Sequence, residues 1–332
     1  MGEPENGSEW VGQEAPELVC SGQWLNSKPL TLQGLKGTVV LLDFLSYSCV
    51  NCIRTFPFLN QWYERYREQG LEIIGIHTPE FEFEKDAGNL EAALKTHGLR
   101  FPVMQDNDYL TWKAFHNNYW PRKFLLDRTG KIVYDHVGEG AYGETEKKMR
   151  ELLEVKGRGL TGKPAGQSLF AGLSEPLTGE LYVGYARGII GNIEGYEPDH
   201  EIEYAEPEYR EDGIVYVKGT WMSRAQYMHH SRDTQGRNDF AWVRYTGRSA
   251  NAVMGPAYGK RFTVFLEVDG HPLKKSEAGL DVSFDERGRS FVEVRQPRMY
   301  GLVGGGMPLG GHELKLVCDS REFCLYTFTF GL

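Results

Sequence analysis

Two cysteines separated by two residues, Cys49 and Cys52 in the stretch FLSYSCVNCIRTFPFL, are the residues of this chain best suited to chemistry. Three kinds of site use that spacing: half of a zinc centre, a pair of buried structural thiols, or a reversible disulfide. Structural zinc normally takes four ligands, often as two such pairs. The only other close pair, Cys318 and Cys324, has a different spacing and lies far along the chain, so no metal site is expected. In a redox pair the first cysteine stands at a helix N-terminus, where backbone N–H groups favour thiolate, and the second lies one turn inside. The run VVLLDFLSYSCVNCIRTFPFLNQWY supplies the strand, the pair and the helix that this chemistry needs, with Pro57 placed to kink the helix. Asp43 precedes Cys49 by six residues and has Leu41, Leu42, Phe44 and Leu45 around it. Ionising a carboxyl in such a strand is costly, so its pKa should rise, which suits a proton acceptor for the second thiol. A hydrogen-bonded structural aspartate, or one at an exposed strand edge, fits the same residues.

The elements that would position these groups are legible on either side. TVVLLDFLS is a continuous apolar run, as a buried strand should be. After Cys52, apolar Phe56, Leu59, Tyr63 and Tyr66 recur at helical spacing until Gly70. LEIIGIHT reads as a second buried strand, NLEAALKTHG as a short helix closed by Gly98, FPVMQD as a strand and YLTWKAFHNNY as a helix. KFLLD and KIVYDHVG flank the turn RTG as a hairpin, and TEKKMRELLEV is an amphipathic closing helix. Strands alternating with helices make residues 1–155 an α/β domain. Residues 156–178 are rich in Gly, Pro and Ser and read as a linker. From residue 179 to 332 helical periodicity gives way to short alternating runs such as GIVYVKGTWMS, DFAWVRYTG and RFTVFLEVDG, the pattern of an all-β sandwich or jelly roll.

Composition narrows the function classes. The 332 residues carry a net charge of -9, which repels phosphate backbones and disfavours nucleic acid as a partner. No apolar run is long enough to span a bilayer, and the first residues lack the basic and apolar segments of a signal peptide. On sequence alone the protein is therefore either cytosolic or has its export or membrane segment outside this chain. Five cysteines in this length form no disulfide framework.

The combination of Asp43, the Cys49–Cys52 pair and Pro57, five residues after Cys52, resembles the thioredoxin superfamily. That resemblance implies a cis-proline opposite the disulfide, and YWPRKFLLDRTGKIVYDH places Pro121 there, with the backbone of Trp120 set to pair with an incoming substrate strand. The extra helix and strand before YWPRK point to the TlpA-like and DipZ-type branch. HTPEFEFEKD, QDNDY, YWPRK and GEGAY are similar to the redox part of DipZ-type proteins. ELYVGYAR, VMGPAYGKRFTVFLEVDG, RQPRMYGL and YTFTFG are similar to the carbohydrate-binding-module-like domain attached to it. The resemblance implies a thiol–disulfide oxidoreductase acting on protein dithiols and disulfides. It also implies no cofactor beyond the Cys49–Cys52 disulfide, an extracytoplasmic setting, and recycling by a membrane electron carrier of the CcdA/DsbD type. The chain departs from ordinary thioredoxin where tryptophans are usual: Ser48 precedes Cys49, and Leu45 stands three residues earlier.

Other residues carry alternatives. His77, Thr78 and Glu80 follow a buried strand at the edge where α/β sites form, and either border the thiols or belong to a hydrogen-bonded loop. Arg54 and Arg122 either act on Cys49 or are solvated surface arginines, and Cys20 reads as an isolated thiol. Cys318 and Cys324 flank DSREF between two strands; a hairpin there would bring them within disulfide reach. They would then be bonded in an oxidising compartment and free in cytosol; two independent core cysteines fit as well. Trp221, Trp242, Tyr182, Tyr185 and Tyr245 are either a stacking face for a glycan or sandwich core. Two rival functions remain. A peroxiredoxin-like peroxidase usually has a proline and a Thr or Ser ahead of its cysteine, and here Ser46 is present without the proline. A glycan- or cell-wall-binding protein with a vestigial redox pair sits poorly with the intact set of Asp43, Cys49, Cys52, Pro57 and Pro121.

Overall fold

The computed structural model describes residues 9–154 and 177–332, which form two compact units. Apart from its last two residues, the linker expected at 156–178 lies outside the described residues.

In the first unit the order of elements is β1 (Trp24–Leu25), β2 (Val39–Leu45), α1 (Val50–Tyr66), β3 (Leu71–His77), α2 (Ala87–His97), β4 (Val103–Gln105), α3 (Leu110–Ala114), β5 (Arg122–Leu126), β6 (Ile132–Val137) and α4 (Tyr142–Leu152). The sheet runs β1-β4-β3-β2-β5-β6, with β2, β3 and β4 parallel and the others antiparallel to their neighbours. Every residue of β2 is buried, because helices cover both faces of the central strands. Its side chains alternate. Val39, Leu41 and Leu45 join the core made with Cys52, Phe56, Leu59 and Trp62 of α1. Val40, Leu42 and Phe44 join the opposite core with Ile74, Trp112, Phe115 and Phe124. This period of two places Asp43 on the α1 face. On β5, Leu125 belongs to the α1-side core and Phe124 to the other, so Lys123 also points toward α1. The register sets Asp43 directly opposite Lys123 on one side and Gly75 on the other.

The helix ends follow local chemistry. The chain leaves α1 through a short 3-10 turn that stops at Gly70, whose φ of 97° suits glycine. Asp86 caps α2 by accepting the Asn89 amide at 2.8 Å, and Gly98 closes it. The helix expected across YLTWKAFHNNY contracts to Leu110–Ala114: Asp106 takes the amides of Thr111 and Trp112 at its start, and the chain leaves helical geometry at His116, whose φ is 44°.

The second unit is a large antiparallel β-sandwich. One sheet runs Val282–Phe284, Ser290–Val294, Phe262–Val268, Gly310–Val317 and Phe240–Gly247; the other runs Met228–His230, Phe323–Gly331, Ser249–Pro256 and Arg298–Val303. The strand Val215–Ser223 belongs to both. Its first residues pair with Phe240–Gly247 and its last with Met228–His230. The change occurs at Gly219, where φ is 102° and an added Cβ would stand 2.2 Å from the Asp239 carboxylate carbon. The inner faces enclose Trp221, Tyr204, Tyr245, Tyr300 and Phe328.

The hairpin expected around DSREF is not formed. Gly310–Val317 pairs with Phe240–Gly247 and Phe262–Val268, whereas Phe323–Gly331 pairs with Met228–His230 and Ser249–Pro256. The turn carries the chain from one sheet to the other. Cys318 and Cys324 are therefore not opposite one another, and both are free thiols in the core.

Candidate active site

Cys49 is the N-cap of α1, with extended φ and ψ of -77° and 119°, and its carbonyl accepts the Ile53 amide at 3.0 Å. It is partly exposed, while Cys52, one turn on, is fully buried; both are free thiols. The first turn of α1 directs its unpaired N–H groups toward the Cys49 end. Burial pushes the Cys52 pKa well above the ordinary thiol value. Its hydrogen bond to Cys49 and the nearby negative charges of Cys49 and Asp43 push the same way. Cys52 is therefore held protonated at physiological pH and would need a nearby proton acceptor to react as thiolate. Pro57 lies inside α1, where it has no N–H for the Ile53 carbonyl.

Asp43 is wholly buried on the α1 side of β2. Desolvation raises its pKa to about 6, and the Lys123 ammonium restrains that rise. Lys123 Nζ stands 3.7 Å from Asp43 Oδ1, and both side chains are fully buried. That distance makes an ion pair rather than a direct hydrogen bond. Lys123 is a site residue that pattern reading missed. At the head of KFLLD it reads as a hairpin charge, and only the β2–β5 register reveals its partner.

The rim is built from three loops. The Trp120–Pro121 peptide bond is cis. The Trp120 indole donates to the Thr78 carbonyl at 3.1 Å and packs on Trp112 with ring centres 4.3 Å apart. The Thr78 amide donates to the Leu45 carbonyl at 3.1 Å, which ties the loop after β3 to the end of β2. His77 is fully buried and stacked on Tyr47, and burial lowers its pKa to about 3, so it is neutral at physiological pH. Glu80 is partly buried and its amide donates to Glu84 Oε2 at 2.5 Å. Glu84, unremarked within the acidic run EFEFEKD, is fully buried and holds the turn that precedes Cys49. Arg54 pairs with Glu139 at 3.4 Å. Arg122 is not a solvated surface arginine: it makes a buried two-pronged contact with Asp135, at 2.9 and 2.7 Å, and lies over Phe124.

Residues away from this site take structural places. Cys20 is half-buried against the core on the far face of the sheet. Trp221, Trp242 and Tyr245 are inside the second unit, so they form no stacking face for a glycan. Tyr182 lies under the Arg187 guanidinium at 3.8 Å, and Tyr185 donates to Asp199 at 3.3 Å. Among the described residues no group of His, Cys, Asp and Glu is arranged to hold a metal ion, and no helix is long and apolar enough to cross a membrane.

A family model described as Redoxin matches residues 10–153, and one described as Thioredoxin like C-terminal domain matches residues 178–331. Protein DipZ of Mycobacterium tuberculosis is 44% identical over 142 residues, 42% of this chain and 20% of that protein. The thiol-disulfide oxidoreductase ResA of Bacillus thuringiensis is 31% identical over 146 residues, 43% of this chain and 78% of that protein. The thiol-disulfide oxidoreductase YkuV of Bacillus subtilis is 28% identical over 141 residues, 42% of this chain and 95% of that protein. The chain thus spans about a fifth of the length of the DipZ proteins it matches. It belongs to the thioredoxin superfamily, in the part of it that holds ResA and the matching segment of DipZ.

Proposed function

We propose that Cys49 and Cys52, in the sequence Cys-Val-Asn-Cys, are the redox couple of this oxidoreductase and that Asp43, paired with Lys123, is its proton acceptor. The observation that carries this reading is that three groups of graded burial act on one another at one helix terminus. A partly exposed Cys49 caps the positive end of α1, a buried Cys52 lies within hydrogen-bonding reach of it, and a buried carboxyl with a pKa of about 6 lies close enough to influence Cys52.

In the reducing direction the Cys49 thiolate attacks one sulfur of a protein disulfide. A bond forms between Cys49 and that sulfur, the substrate S–S bond breaks, and the second substrate sulfur leaves as thiolate. Cys52 then gives its proton to Asp43 and attacks the Cys49 sulfur. The Cys49–Cys52 disulfide forms, the first substrate sulfur leaves as thiolate, and two electrons have passed from the pair to the substrate. Run backwards, the same steps oxidise a dithiol. Cys52→Ser should accumulate mixed disulfides with protein substrates through Cys49, whereas Cys49→Ser should accumulate few. Equal trapping by the two variants would contradict the roles given to them.

The resemblance to DipZ-type proteins supports an extracytoplasmic setting and recycling by a membrane electron carrier of the CcdA/DsbD type. Loss of such a carrier should leave the Cys49–Cys52 pair oxidised in cells, as read by thiol-alkylation gel shifts. An unchanged redox state would remove the carrier from the scheme. Glycan recognition by the second unit would have to use residues other than Trp221, Trp242 and Tyr245, which are core.

A further inference from the structure

Ser48 stands where ordinary thioredoxins carry a tryptophan, directly before Cys49, and it is buried rather than solvated. Its hydroxyl and its amide both reach Glu84, which sits in the short 3-10 turn Glu82–Lys85. Glu84 Oε1 accepts from the Ser46 hydroxyl at 2.8 Å, the Ser48 amide at 3.3 Å and the Ser48 hydroxyl. Its other oxygen takes the Glu80 amide at 2.5 Å. The neighbouring Lys85 ammonium pairs with Glu82 at 2.7 Å. Four donors from two loops thus converge on one fully buried carboxyl. Burial raises its pKa to about 7 in spite of these hydrogen bonds, with the Glu80 charge adding to the rise. A fully buried ionisable group is a costly way to fasten a loop, and such groups concentrate at working sites.

The loop that Glu84 holds touches both cysteines. The Ser46 carbonyl accepts the Cys49 amide at 3.4 Å. The Ser46 backbone also hydrogen-bonds the Cys52 sulfur and lowers its pKa. One carboxyl therefore stands behind the segment that sets the distance and angle between the two sulfurs.

We propose that Glu84 is a positioning residue for disulfide exchange: by holding Ser46 and Ser48 it fixes Cys49 over Cys52 and sets the rate and the equilibrium of the pair. The inference rests on Cys49 and Cys52 being the redox couple. Glu84 touches no reacting atom and acts through the two serines. A misplacement of about 1 Å in a reacting group can cost on the order of 10²-fold in rate. The equilibrium responds as well, since the disulfide demands a sulfur–sulfur distance of about 2.05 Å, which the free thiols do not.

The test uses the full chain with Glu84→Ala, Glu84→Gln and Ser48→Ala. Glu84→Gln keeps the shape and one acceptor oxygen but turns an NH2 group toward donors. Ser48→Ala leaves Glu84 its contacts to Ser46 and Glu80, so it reports even where Glu84→Ala fails to fold. The readouts are the rate of reduction of a protein disulfide and the equilibrium constant with glutathione. Glu84→Ala should lower the rate roughly 10- to 100-fold, with Ser48→Ala and Glu84→Gln between it and the parent. The equilibrium constant should move by about tenfold, or about 30 mV. If folded Ser48→Ala and Glu84→Gln keep the parent rate and equilibrium constant, even with a lower Tm, Glu84 only stabilises the fold and the inference fails. If instead Cys49→Ser exchanges disulfides as fast as the parent, the redox-couple reading fails.

Discussion

Replacing Asp43 by Asn should remove a pH step from one half of the exchange reaction and leave the other half intact. Asn keeps the shape of the side chain and deletes the charge. In the parent the carboxyl titrates at about 6, and it can take the Cys52 proton only when ionised. About one molecule in eleven is ionised at pH 5 and about ten in eleven at pH 7, as a pKa of about 6 requires. Resolution of the mixed disulfide should therefore rise about tenfold between those pH values and level off above them. In Asp43→Asn the step should vanish, and resolution at pH 7 should slow by at most the 10²–10⁴-fold typical of a lost general base, roughly. Water entering the site would carry part of the transfer and shrink that loss. Formation of the mixed disulfide should change little, because Cys49 stands at the N-terminus of α1, whose N–H groups favour its thiolate. Single-turnover kinetics with acid quenching, from pH 5 to pH 8, separate the two steps. If Asp43→Asn slows formation and spares resolution, Asp43 is not the acceptor for Cys52. If it alters only stability, its role is structural, and an inflection that survives in Asp43→Asn would assign the pH step to another group.

Lys123→Met removes the charge that restrains the Asp43 pKa, so the inflection in the resolving step should move to higher pH; a downward or absent movement in the same kinetics would contradict the ion pair. Stability should also respond. Asp43 binds its proton more tightly folded, at about 6, than at its ordinary 3.8, so its contribution is full below pH 3.8 and falls away as pH rises to about 6. The whole effect is about 3 kcal/mol. Urea titrations across that range should show the loss in the parent and a flatter profile in Asp43→Asn/Lys123→Met. Cys318 and Cys324 are buried thiols whose pKa values burial pushes up, the first to about 12. In the native reduced protein an alkylating agent followed by peptide mapping should mark Cys49 and leave these two unlabelled until unfolding. Trp221→Ala removes a fully buried side chain that donates to the Lys218 carbonyl at 2.8 Å, and calorimetry should show the second unit weakened by about 3–5 kcal/mol.

The candidate redox site was legible where its chemistry is local. Cys49, Cys52 and the strand and helix around them are adjacent in sequence, and the apolar neighbours of Asp43 announced its burial. What stayed hidden depends on contacts between distant segments. Lys123 is separated from Asp43 by most of the first unit and meets it only because β5 lies antiparallel to β2. Glu84 lies in an acidic run from which only Glu80 is singled out, and nothing local distinguishes Glu84 from Glu82. It is buried where the distant Ser46 and Ser48 turn their hydroxyls onto its carboxyl. In the second unit the alternating runs gave the sandwich. Glu201–Tyr204 and Met228–His230 escaped notice as strands because they are short, and Ser249–Pro256 because Ala, Asn and Gly dilute its pattern. The Cys318–Cys324 hairpin failed for a topological reason: a short turn in a sandwich can join neighbours in one sheet or cross to the other, and spacing alone does not separate the two.

The strand Val215–Ser223 has a consequence for how this protein can vary. Because one continuous strand is hydrogen-bonded in both sheets, its length is fixed from two directions at once. Inserting or deleting one residue on either side of Gly219 would turn every side chain beyond it to the opposite face, exchanging core for solvent in that sheet. The Gly219 corner offers no slack, since the Asp239 carboxylate that fills the space above it is held by Arg232 and His230. Length changes among homologues of this unit should therefore collect in the turns between strands and be absent from this one, which makes it the natural anchor for aligning distant sequences.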